Sequence, residues 1–449
     1  MPGTQGPENI STKQRRIAEL AKAAPGAALT ALAHHIDIDW MKEAYRRTRK
    51  DGAVGVDGRT AADFEAHLEE NLRSLLERAK SGLYRAPPVR RVHIPKGTGT
   101  ETRPIGIPTF EDKVLQRAVA MVLECIYEQE FHPCSWGFRP ERSAHGALAS
   151  LWKQTMGMRG GWVVEVDIRK FFDTLDHGHL RDLLQRRVRD GVLLRLIGKW
   201  LHAGVMEEGT LSYPESGTPQ GGVISPLLAN VYLHEVLDRW YAEEVQPRLK
   251  GRGFLVRYAD DFVMTFDEEA DARRVLTVLH KRFARYGLTL HPDKTRLVAF
   301  RAPARNRAGN DDQSGAGPGT FDFLGFTHYW GKSRRGKWVV YRKTAKGRLR
   351  RALQAVAQWC RSARHRLLSE QHQILVRKLR GHFQYYGITG NGRKIADFRH
   401  KVFLIWRKWL ARRSRHTPGG LRGLGQRLER YPLPSAVVVH SVYRHAANP

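Results

Sequence analysis

The chain has only three cysteines in 449 residues, Cys125, Cys134 and Cys360. They are too few and too widely spaced for a disulfide framework or a zinc site of the C-x-x-C kind, and are read as reduced and structural. No run approaches the roughly 18 consecutive apolar residues of a membrane span. The small-residue stretch Ala23 to Ala33 has no strongly apolar centre, which makes it a poor signal peptide. The expected setting is the cytoplasm, with no membrane partner. The third shortage is of acid: Lys and Arg number 76 against 45 Asp and Glu, a formal charge of +31. Hydrophobic content of 41% argues against a disordered basic tail and leaves a folded chain, large enough for an enzyme, with a polyanionic partner.

The shortage of acid is local. From Gly331 to Pro449 there are 29 Lys and Arg against Glu370, Asp397 and Glu429 alone, a net +26. The preceding 330 residues carry 47 basic and 42 acidic side chains and come close to balance at +5. The need for an anion therefore sits at the C-terminal end.

Residues 1–39 are expected to form a flexible leader, because the first 30 are rich in Gly, Pro, Ala and charge. Helical spacing through Phe64, Leu68, Leu72 and Leu75, interrupted by the turn-forming Lys50 to Gly58, predicts two helices and a glycine-rich loop. Alternation from Val89 to Ile94, a Lys96-Gly97-Thr98-Gly99-Thr100 turn and a return from Thr102 to Ile107 predict a basic hairpin. A helix follows over Lys113 to Glu130, then a buried strand from Trp162 to Ile168 and a second hairpin from Phe254 to Phe266. Residues 301–320 lack periodicity and read as a flexible insertion. From Lys346 the pattern becomes helical and basic, with Leu349, Leu353, Val356 and Trp359 on one face. Strands mixed with helices give an α+β class.

Two adjacent aspartates at a hairpin turn, Asp260 and Asp261, repel one another and are costly to desolvate. In isolation such a pair most often decorates a surface turn. Asp167, ending its own buried strand, could join them if the two elements share a sheet. Carboxylates on adjacent strand ends can hold two Mg²⁺ roughly 3.5–4 Å apart, activating a 3′ hydroxyl and steadying a pyrophosphate leaving group. His132, His145, His177 and His179 have no carboxylate or cysteine partner at ligand spacing and are read as structural.

The surroundings of these aspartates carry a resemblance. Arg257-Tyr258-Ala259-Asp260-Asp261-Phe262 resembles the signature of reverse transcriptases. The stretch from Val166 to Asp173, the block Gly217-Thr218-Pro219-Gln220-Gly221-Gly222 through Asn230, Ser135-Trp136-Gly137-Phe138-Arg139-Pro140, Gly287-Leu288-Thr289-Leu290 through Lys294-Thr295, and Phe323-Leu324-Gly325-Phe326 resemble further blocks in the order those enzymes use. Gly55-Val56-Asp57-Gly58, Ile94-Pro95-Lys96 with Arg103 to Thr109, and Leu379-Arg380-Gly381 with Tyr385-Tyr386-Gly387 make the chain most similar to bacterial group II intron-encoded reverse transcriptase/maturases. The similarity runs from about Trp40 to the C-terminus.

The resemblance implies a right-hand polymerase. Residues 40–160 would be N-terminal extension and fingers, 161–330 a palm with an antiparallel sheet, and 331–449 an α-helical thumb/X domain with a short DNA-binding tail. Asp167, Asp260 and Asp261, helped by the carbonyl of Ile168, would hold two Mg²⁺, with Mn²⁺ a possible substitute. Lys96 and Arg103 would neutralise the triphosphate of a deoxynucleotide. Phe172, five residues after Asp167, would exclude a ribose 2′ hydroxyl, and Gln220 would line the nucleotide pocket. Tyr258 and Lys294 would meet template or primer. Partners would be group II intron RNA, an RNA template with a DNA primer, target DNA and deoxynucleotides, in a nucleoid-associated cytoplasmic setting. Nothing after Arg430 resembles the Cys and His cluster of an HNH endonuclease, which implies an endonuclease-lacking, group IIC-like protein with a reduced tail. Glu141 stands where Gly is common in the family. Two other functions remain open at this point: a domesticated reverse transcriptase in phage defence or CRISPR spacer acquisition, and an RNA-binding splicing cofactor with a dispensable polymerase.

Overall fold

The computed structural model describes residues 9–95, 102–213, 217, 221–303, 319–413 and 420–441. Lys96, Gln220 and most of the 301–320 insertion lie outside the described residues.

The N-terminal part is helical: α1 (Ile10–Ala23), α2 (Ile38–Arg47), α3 (Ala61–Glu65) and α4 (Leu68–Ser81) surround the hairpin β1 (Val89–Pro95) and β2 (Thr102–Ile107) and the central α5 (Phe110–Tyr127). α5 begins where its chemistry says it should. Thr109 accepts a hydrogen bond from the Asp112 backbone N–H, and Glu111 and Asp112 place negative charge at the positive end of the helix.

From residue 9 onward the leader expected to be loose is ordered. Ile17 and Ala21 of α1 are buried in the main core. The guanidinium of Arg187 donates to the carbonyls of Ala21 at 2.9 Å and Ala24 at 2.7 Å, closing the C-terminal end of α1. Asp190 accepts from the backbone N–H groups of Leu32 and Ala33 at 2.7 and 2.9 Å. Small, polar composition suggested flexibility, but side chains more than 150 positions away in sequence supply the order.

Next come α6 (Ala144–Gly157), β3 (Trp162–Asp167), α7 (Phe171–Thr174), α8 (His177–Gln185), α9 (Gly191–Leu201), β4 (Val205–Glu207), β5 (Thr210–Ser212) and α10 (Ser225–Leu233). π-helical turns at His234–Asp238 and Tyr241–Val245 extend α10. The hairpin β6 (Gly253–Tyr258) and β7 (Asp261–Phe266), α11 (Glu269–Arg285) and β8 (Arg296–Ala299) complete the central sheet, whose antiparallel order is β6-β7-β3-β8. Alternation divides its side chains. Val164, Val166, Phe262 and Met264 face the main core with α5 and α11, whereas Val163, Val256, Val263 and Val298 face a second core with α6.

That second face is covered by another sheet, β9 (Phe321–Phe323), β10 (Phe326–Lys332) and β11 (Trp338–Thr344). The expected start of a helical module at 331 therefore falls inside a strand. The β10–β11 hairpin packs Trp330 and Val340 with the central sheet, and helix begins only at Lys346. From there α12 (Lys346–Ser362), α13 (Leu368–Tyr386), α14 (Gly392–Ala411) and α15 (Gly420–Glu429) bury Val356, Leu375, Leu379, Phe383, Trp406 and Leu410 in a third, separate core. Residues 432–440 run back along this module, with His440 bridged to Ile388.

Candidate active site

The site is a rung of the central sheet. Tyr258 pairs with Asp261 across the β6–β7 turn, and Asp261 pairs with Asp167 across the next strand. Directly opposed residues have Cβ atoms about 4.5–5.5 Å apart, so the register alone puts two of the three expected aspartates together. Asp260 sits in the intervening two-residue turn, and its charge and those of Asp167 and Asp261 act on one another. The expectation that the two elements share a sheet holds.

This clustering is electrostatically expensive. Burial pushes the Asp260 carboxyl above the usual range, and the Asp167 charge adds to the effect, while Arg103 and Arg257 oppose it. Asp261 is raised further, first by the crowding of protein around it and then by Asp260, Asp167 and Glu165. Its side chain is nevertheless reachable by solvent. The nearby Leu324 backbone opposes part of that rise. Lys294, carried by the turn that follows the Ile168–Leu290 bridge, places its Nζ 2.7 Å from Asp167 Oδ2. A surplus of negative charge of this kind suits a divalent cation. Among the described residues no three His, Cys, Asp or Glu side chains close into a metal cage.

The other expected residues fall around these carboxylates. Arg103 lies on β2, exposed, with its charge acting on Asp260. Phe172 is half-buried, its ring edge-on to Phe171 at 5.3 Å. Gly217 closes against the Phe172 turn, its N–H 2.8 Å from the Leu175 carbonyl. A Cβ on Gly217 would come 2.8 Å from the carbonyl oxygens of Phe172 and Asp173, and one on Gly221 would come 2.6 Å from that of Gly106. The glycines of this block thus permit close backbone contact with both neighbouring elements.

Sequence reasoning missed what holds the turn. Ala259 has φ +56°, a left-handed conformation costing about 1 kcal/mol or more for a residue with a Cβ. Arg257, fully buried, donates to the Ala259 carbonyl at 3.1 Å, to Ser135 Oγ at 2.7 Å and to Asn230 Oδ1 at 2.8 Å. Asp238, on the first π-helical turn and also fully buried, neutralises it through two hydrogen bonds of 2.7 and 2.5 Å. Asn230 in turn donates to the Gly137 carbonyl at 2.7 Å. Gly137 lies so close to the turn that a Cβ would reach 2.4 Å from the Ala259 nitrogen. The available signal was a charged residue in an otherwise apolar strand.

The family described as reverse transcriptase (RNA-dependent DNA polymerase) matches residues 94–328, just over half of the chain and all of the site. The chain belongs to the reverse transcriptase family. This reverse transcriptase is 38% identical over 289 residues to Protein YkfC of Escherichia coli, covering 57% of the chain and 75% of YkfC. It is 36% identical over 249 residues to the group II intron-encoded protein LtrA of Lactococcus lactis, covering 53% of the chain and 41% of LtrA. Nuclear intron maturase 2, a mitochondrial protein of Arabidopsis thaliana, is 30% identical over 177 residues, 30% of the chain and 24% of that protein. The chain thus spans less than half of LtrA. Among its described residues no helix is long and apolar enough to cross a membrane.

Proposed function

We propose that this reverse transcriptase is an RNA-directed DNA polymerase that also binds a structured group II intron RNA, assists its splicing as a maturase and supports its mobility by target-primed reverse transcription. The observation that carries the polymerase reading is the rung Tyr258–Asp261–Asp167 with Asp260 in its turn. The intron-encoded and maturase relatives support the RNA partner.

In this reading the central sheet is the palm, the β1–β2 hairpin belongs to the fingers and the basic helices from Lys346 are the thumb. Asp167, Asp260, Asp261 and the Ile168 carbonyl would hold two Mg²⁺, or Mn²⁺ in their place. When bound, these ions supply activation of the primer 3′ hydroxyl and neutralise the charge developing on pyrophosphate. Arg103, with Lys96, would clamp the triphosphate oxygens. Phe172 would close the sugar pocket against a 2′ hydroxyl, with Gln220 lining the base side. Tyr258 would pack beneath the primer end. Lys294 already lies within hydrogen-bond reach of Asp167 and would meet the nucleic acid or its phosphates there. The +26 of the C-terminal segment would grip duplex backbone and intron RNA by phosphate contact.

The test pairs wild type with the Asp260→Ala/Asp261→Ala double variant in primer extension on an RNA template with Mg²⁺ and in splicing of a group II intron RNA. Wild type should make cDNA and the variant none, while the folded variant should still support splicing. An inactive wild type sinks the polymerase reading, and loss of splicing in the folded variant sinks the separation of the two roles.

A further inference from the structure

The loop that braces the aspartate turn carries an outlier of its own. Phe138 has φ +55°, a left-handed conformation that a bulky residue adopts only under constraint. It is also 58% exposed. Exposed apolar residues are ordinary on protein surfaces, but one that is both exposed and strained gives the fold neither burial nor backbone ease. Strain of this kind persists where the surrounding structure over-determines it, and it concentrates at functional sites.

Phe138 is anchored from both sides. Before it, Trp136 donates its backbone N–H to the Arg257 carbonyl at 2.8 Å, and Asn230 donates to the Gly137 carbonyl at 2.7 Å. Gly137 is pressed onto Ala259, leaving no room for a Cβ. After it, the buried Arg139 donates to Glu128 at 2.9–3.1 Å and to the carbonyls of His132 and Ser135 at 2.9 and 3.0 Å. Between these anchors the Phe138 ring stands 6.4 Å from the ring of Tyr258, tilted by 41°. Tyr258 is the residue paired with Asp261, so the exposed ring is fixed beside the end of the sheet that carries the carboxylates.

We propose that Phe138 and Tyr258 form an aromatic shelf for template–primer, with the Phe138 ring in contact with the sugar and base faces next to the primer end. The proposal rests on the polymerase reading above and adds to it a contact residue outside the set that would hold metal and triphosphate. The chemistry of the ring suits this occupant. A phenyl group has no hydrogen-bonding atom, so it meets any base or deoxyribose through apolar contact without reading sequence. An enzyme that advances one nucleotide at a time over any template needs a contact of that kind. Replacing such an aromatic by Ala costs about fivefold or more in affinity for each base it touches.

The test uses the full chain and a fluorescently labelled RNA template with a DNA primer, its binding read by anisotropy without deoxynucleotide, followed by primer extension and thermal melting. Phe138→Ala should bind template–primer at least about fivefold more weakly, while its KM for deoxynucleotide and its melting temperature stay near wild type. Phe138→Tyr, which keeps the ring, should retain most of the affinity. Phe138→Gly accommodates the left-handed backbone without the ring, and should melt at or above wild type yet bind as weakly as Phe138→Ala. Suppose wild type binds template–primer and makes cDNA. If both ringless variants then bind as tightly as wild type, lose affinity only in step with melting temperature, or change only KM for deoxynucleotide, the shelf is overturned and the polymerase reading stands. If wild type neither binds template–primer nor makes cDNA, both fall together.

Discussion

Arg257 and Asp238 form a two-pronged ion pair in which neither side chain is exposed to solvent. Asp238 compensates the Arg257 charge, and the remaining guanidinium protons reach Ser135, Asn230 and the Ala259 carbonyl. The pair is therefore the anchor of the turn that presents Asp260.

Removing either partner leaves a buried charge alone. Arg257→Ala or Asp238→Ala should lower stability by about 3–5 kcal/mol and abolish primer extension. Arg257→Lys should be nearly as harmful to activity, because an ammonium cannot span Asp238, Ser135, Asn230 and Ala259 together. Denaturant unfolding with extension assays checks this, and a variant as stable as wild type would remove the anchor role.

Glu141 has φ +58°, a left-handed conformation that favours glycine. Glu141→Gly relieves about 1–2 kcal/mol of left-handed strain against about 0.5–1 kcal/mol of added chain entropy in the unfolded state. The net should be a small gain, a rise in melting temperature of about 1–2 °C, readable by calorimetry. A fall would show that the Glu141 side chain contributes more than its backbone costs.

Lys294 sits on Asp167 with half of its side chain exposed. A pair of this kind is worth about 1 kcal/mol at most. Lys294→Ala should therefore tighten Mn²⁺ binding by nucleic-acid-free protein, by about fivefold at most, even as it weakens extension. Weaker Mn²⁺ binding in this variant would contradict competition between the ammonium and the cation.

Asp112, almost fully buried near the start of α5, is pushed up to about 6, chiefly by burial, while hydrogen bonds from Tyr84 and Trp200 limit the rise. The folded state therefore holds this proton more tightly than the unfolded chain. The resulting stabilisation is complete below about pH 4 and is lost as pH rises through about 6. Relative to Asp112→Asn, wild type should lose on the order of 3 kcal/mol across that window. Parallel unfolding curves for the two proteins from pH 4 to 7 check it, and a constant difference would refute it.

Template-primer binding should weaken at least tenfold between roughly 50 and 200 mM salt, as counterions displaced by the basic C-terminal helices return. Filter binding or fluorescence anisotropy with the Asp260→Ala/Asp261→Ala variant measures this without turnover. A flat profile would count against phosphate contact.

The strands carrying the site were legible because they are local. The apolar, β-rich runs of Trp162–Asp167 and of the two arms around Ala259-Asp260-Asp261 predict β3, β6 and β7, and the structure places strands there. The helical faces of the C-terminal helices were legible for the same reason, since Leu375, Leu379 and Phe383 repeat at helical spacing and are buried. The leader was misread because its order comes from Arg187 and Asp190, which no window around residues 10–33 contains. The boundary at 331 was misread because a change in charge preceded the change in fold.

By itself the sequence determined the segregation of charge and the secondary structure of the central-sheet strands, since each depends on residue type and short-range pattern. Only the tertiary structure decided the register that opposes Asp167 to Asp261, and the contacts that tune them. Lys294 lies 127 positions from Asp167. Such pairings depend on how sheets and helices pack against one another, and a hydrogen bond a few ångströms long leaves no trace in the spacing of residues so far apart.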